Sequence, residues 1–146
     1  MTPRIPDRLL VAGGPFAAAL PASRAAAAIG RGLRAGGLPA PDLCPIDHED
    51  AGDVRALLDS LDFDVRMRRA RAVVVVAARL QERTLAGSLT FEIATRARQA
   101  GVPAYAVTAE NTLNAFDARI LDLQVILEAR TARALTAAGR KLAGLV

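Results

Sequence analysis

Sulfur, imidazole, ammonium and aromatic groups are all scarce in this chain, and each scarcity removes something. Cys44 is the only cysteine, which excludes a disulfide framework and fits a reducing cytoplasm. His48 is the only histidine, so any imidazole chemistry must use it. Aromatics make up 3% of residues against 52% hydrophobic residues overall. The core must therefore be built from Ala, Val, Leu and Ile. No apolar run approaches the roughly 20 residues needed to cross a bilayer, so no membrane association is expected. Arg4 and Arg8 precede a short apolar stretch as in a secretion signal, but Gly13-Gly14-Pro15 interrupts it and a first strand is the better reading. Internal repeats and low-complexity linkers are also lacking. A length of 146 residues then points to one domain.

What is present is arginine. Of the 19 basic residues only Lys141 is a lysine, and the net charge is +4. Such an excess is compatible with nucleic-acid binding, but GC-rich codon usage enriches Arg and Ala together. Arg66, Arg68, Arg69 and Arg71 form the one dense cluster, and no aromatics interleave with it to stack on bases. A solvated turn before a buried strand explains it, and nucleic acid is not expected as a partner.

Strand and helix patterns alternate. The block Val73-Val74-Val75-Val76, bounded by polar residues, reads as a strand buried on both faces of a parallel sheet. Further strands are expected at 8–12, 42–47, 104–108 and 118–123, the third strand covering 72–77. Pro45 puts the second near an edge. Helices are expected from Pro21 to Ala35 with Ser23 as cap, over 51–61, from Thr84 or Ser88 to Ala100, and over 125–142. Strands joined by helical crossovers give a three-layer α/β/α domain, Rossmann-like, with a mostly parallel sheet of about five strands.

Several segments carry a resemblance. Gly14-Pro15-Phe16-Ala17-Ala18-Ala19-Leu20-Pro21-Ala22 follows the first strand, and Ala28-Ile29-Gly30-Arg31-Gly32-Leu33 lies in the first helix. Pro45-Ile46-Asp47-His48-Glu49-Asp50-Ala51-Gly52-Asp53 follows the second strand. Asp62-Phe63-Asp64, the stretch 70–81 and Gly101-Val102-Pro103 complete the set. Together they resemble the glycerate kinases of the bacterial two-domain type, whose motifs read P-D-S-F-K-G-S-L-S, A-I-x-x-G-L, P-I-A-D-G-G-E-G-T, G-F-D and A-D-L-V-I-T-G-E-G-R-L-D-x-Q-S-x-x-G-K-x-P. The resemblance implies transfer of phosphate from ATP to glycerate, with Mg2+, between two closing domains. It also implies that a second domain inserted in those relatives is absent here between about Leu58 and Phe63.

The matching positions are depleted of polar groups. The motif Lys corresponds to Ala17, and its Gly and Ser to Ala18 and Ala19. Gly-Glu-Gly before Arg79 has become Val76-Ala77-Ala78, the following Asp is Gln81, its Gln partner is Arg83, and the Lys after Gly87 is Ser88. Phosphoryl transfer depends on positioning and on cations that neutralise developing charge, so catalysis as in the family is expected to be impaired.

The candidate residues follow. Gly13, Gly14, Arg79, Gly87 and Ser88 are the candidates for holding a nucleotide or small anion, around a pocket between Gly14, Asp47, Arg79 and Ser88. Asp47, Glu49 and Asp50 are metal candidates. Arg79, His48 and Asp47 are the catalytic candidates, the last two for a new chemistry centred on His48. Against these stand structural readings: Glu49, Asp50 and Asp53 as helix N-terminal residues, Gly13-Gly14 as a turn, Ser88 and Thr90 as caps, and Cys44 as a core residue. Glu110 and Asn111 read as loop. The functional expectation is a shortened glycerate kinase-like protein with weak anion or nucleotide binding, or else a module that pairs with itself or a separate chain.

Overall fold

Four consecutive β-branched residues have no polar face to turn toward water, so the segment must be covered on both sides. The computed structural model describes residues 7–17, 20–46, 53–81 and 88–146, and places this block in the middle of its sheet. Strands β1 (Leu10–Gly13), β2 (Asp42–Pro45), β3 (Val73–Leu80), β4 (Ala104–Asn111) and β5 (Leu123–Glu128) run in the order β2-β1-β3-β4-β5. Every pairing is parallel. The fold is therefore the three-layer α/β/α arrangement read from the sequence, with β2 at an edge.

Alternate residues of the central strands feed two cores. Leu9, Val11, Val74 and Val76 pack with α1 (Ala22–Ala35) and α6 (Ala132–Ala143). Leu10, Ala12, Val73 and Val75 pack on the other face, with Leu58 of α2 (Val54–Ser60), Phe63 and Met67 of α3 (Phe63–Arg68), and Ile93 of α4 (Leu89–Ala100). On that second face Arg96 donates to Asp59 at 2.9 Å and to Asp64 at 3.2 Å, tying α4 to α2 and α3. On the first face the helices cross through glycine: a Cβ on Gly139 would overlap the carbonyl oxygen of Ile29, and one on Gly32 that of Thr136.

Several expectations need correction. The stretch 118–123 is not the fifth strand. Residues Ala115–Leu121 form helix α5, started by Asn114, whose side chain accepts from the Asp117 amide at 2.8 Å. The chain reverses at Asp122, left-handed with φ 53°, and the strand is Leu123–Glu128. The closing helix starts at Ala132 and not at 125, because Thr131 caps it by accepting from the Ala134 amide at 3.1 Å. Ser23 lies inside α1, whose N-cap is Pro21 with its ring-fixed φ of −64°. Residues 63–68 are helical, so Arg66 belongs to α3 and not to a turn. Glu110 and Asn111 continue β4, opposite Arg79 and Leu80. Leu61 and Asp62 alone connect α2 to α3, at the point where the resemblance implies an inserted domain, and Asp62 makes this turn in the left-handed region with φ 52°.

Candidate functional site at the carboxyl rim of the sheet

An open parallel sheet exposes a crevice where its strand order reverses, here beside β1, with β2 on one side and β3 on the other. β1 stops at Gly13, paired with Val76, whereas β3 runs on to Leu80 along β4. The rim of the crevice is thus the end of β1 and the flank of β3 beyond Val76.

Gly13 is needed by the sheet itself. A Cβ there would overlap the backbone of Val76, and the Gly13 carbonyl accepts from the Ile46 amide at 2.9 Å. Gly14 follows, buried. Val76 and Ala77 are buried and Ala78 half-buried, all within the strand; Ala77 pairs with Thr108 of β4. These methyl-bearing residues stand where the motif has Gly-Glu-Gly, so the backbone is committed to the sheet instead of curling round a phosphate.

Arg79 emerges exposed from β3, with its Nε 3.4 Å from Glu110 Oε2. That partner went unseen in the sequence because Glu110 read as loop; the strand register is the signal that pairs them. Ser88 caps α4, accepting from the Phe91 amide at 3.1 Å. Cys44 is buried, with the Arg66 guanidinium 3.4 Å from its Sγ. Burial pushes the thiol pKa up, Arg66 opposes this, and Asp42 adds to the rise. Asp47, His48, Glu49, Asp50 and Gly87 lie outside the described residues. Among the described residues no group of three His, Cys, Asp or Glu side chains is placed to hold a metal.

The described rim does not fit a triphosphate as the motif residues would. Ala17 replaces a cation, and the one guanidinium on β3 already faces a carboxylate. The match of segments is nevertheless a match of family: the sequence model of the glycerate kinase family covers residues 16–142. The chain belongs to the glycerate kinase family. No curated protein sequence matches it. Membership accounts for the framework residues, among them Gly32, which the motif A-I-x-x-G-L retains and the α1–α6 crossing requires. No helix among the described residues is long and apolar enough to cross a membrane.

Proposed function

We propose that this member of the glycerate kinase family has lost phosphoryl transfer to glycerate and keeps weak binding of a small anion at the rim formed by Gly14, Arg79 and Ser88. The observation that carries this reading is the strand geometry of Val76-Ala77-Ala78 at the motif's Gly-Glu-Gly position, together with Ala17 in place of its lysine. Each preorganised donor lost from such a site costs on the order of 10²–10³ in turnover. Several losses together leave no measurable reaction. A coupled assay for ADP release with ATP, Mg2+ and glycerate tests this directly: background rates are expected, and sustained turnover by the purified chain overturns the reading. The thermal shift with glycerate at millimolar concentration is expected to be small and to vanish in Arg79→Ala.

A second reading, pairing with another copy or a separate chain, draws support from Phe116 and Ile120. These lie one turn apart on α5 and are 71% and 38% exposed. Light scattering on the wild type and on Phe116→Ser measures it, with a monomer in both counting against it.

A further inference from the structure

Outside the rim, one concavity gathers charge of a single sign. It measures about 480 Å³ and lies between α1 and the start of α6, with Leu20 and Ala27 among its apolar lining. That volume is in the range of small-molecule sites. Arg24 and Arg31 line one side. Seven residues apart on α1, they project from the same face, separated by about 10 Å along the axis. Ala27 lies between them and leaves the wall low.

Arg130 lines the opposite side, immediately before the α6 cap Thr131. Its Nε donates to the Ala109 carbonyl at 3.2 Å, which anchors the guanidinium to the end of β4 and leaves its two terminal nitrogens for another partner. Among the described residues no carboxylate lines the cavity. The ion pairs among the described residues involve Arg55, Arg66, Arg79 and Arg96, and none of these three. The first turn of α6 holds no acidic residue to offset the helix dipole.

Three guanidinium groups round one concavity repel each other until an anion enters, and their forked donors match phosphate oxygens. We propose that this groove binds an organic phosphate carrying two or more negative charges, with the apolar floor taking its uncharged part. A singly charged ion would gain too little over water at side chains this exposed. The site uses none of Gly14, Arg79 or Ser88, although Ala17, the residue at the motif's lysine position, also lines it.

The test is calorimetric titration of inorganic pyrophosphate into the full chain at constant ionic strength, supported by amide chemical shifts. Saturable binding is expected, with shifts centred on Leu20, Thr131 and Ala132. Affinity should fall about tenfold or more in Arg24→Gln/Arg31→Gln and in Arg130→Gln, each loss of a charged hydrogen bond being worth that factor. Absence of saturation, or equal affinity in the Gln variants, overturns the proposal. So does tighter binding of a single-stranded oligonucleotide that is lost in the same variants, because the surface then reads a polymer. ATP turnover in the coupled assay would refute the loss of catalysis and leave this titration unaffected.

Discussion

Two arginines on this chain look alike in sequence and differ in what they hold. Arg66 donates to both Asp42 carboxylate oxygens, at 2.9 and 2.7 Å, and to the Leu43 carbonyl at 2.9 Å. Both side chains are largely shielded, at 27% and 22% exposure, and the Asp42 hydrogen bond raises the guanidinium pKa further. Arg66→Ala should therefore cost about 1–3 kcal/mol in urea unfolding, since it strands a partly buried carboxylate. Arg79 and Glu110, both well exposed, should lose about 0.5 kcal/mol or less on Arg79→Ala. Cys44 adds a pH dependence. Its folded pKa lies above the ordinary thiol value of 9.0. The stabilisation is complete below that unfolded value and is lost as pH rises through it, because only the unfolded thiol ionises there. Wild-type stability should fall between neutral and alkaline pH more steeply than that of Cys44→Ala, as read from urea midpoints. Equal slopes would contradict the burial argument.

At the scale of elements, the α1–α6 crossing brings backbone against backbone at Gly32 and Gly139. Thr136 Oγ1 donates across it to the Ala28 carbonyl at 2.9 Å, so the helices have no room to separate without losing that bond. Gly139→Ala should cost roughly 1–3 kcal/mol by overpacking. Gly144→Ala, whose Cβ would meet nothing closer than 3.6 Å, should stay within about 0.5 kcal/mol. Thermal denaturation of the two variants compares them directly. These elements were also where the sequence was least legible. The valine strand, β1, β2, β4 and α1 follow from hydrophobic period and Gly or Pro punctuation. From 115 to 138 the apolar residues run on without such punctuation, so helix, edge strand and helix merge into one pattern. Asn114, Asp122 and Thr131 divide it, but their roles depend on side-chain hydrogen bonds and a left-handed φ that the residue types permit without requiring. The candidate site was legible in part for the same kind of reason. Arg79 and Ser88 were found by motif, whereas Glu110, Arg24, Arg31 and Arg130 come together only through register and helix packing.

At the scale of the molecule, a single sheet serves both cores, and this predicts how the chain unfolds. Neighbouring residues of β3 point in opposite directions: Val74 belongs to the core under α1 and α6, and Val75 to the core under α2, α3 and α4. Neither helix layer can leave without exposing strands that the other layer also covers, so the two cores should melt together, as small domains usually do. Tyr105 reports on this, being the only tyrosine in a chain without tryptophan and packed in the α1–α6 core. Val74→Ala and Val75→Ala should each cost about 2 kcal/mol, the transfer and cavity terms for two buried methyl groups. Each should lower the urea midpoint seen by Tyr105 fluorescence and the one seen by far-ultraviolet circular dichroism by the same amount. If Val75→Ala moved the dichroism midpoint and left the tyrosine signal in place, the layers would be separable. The sheet would then be a support for two independent halves and not the one element that both depend on.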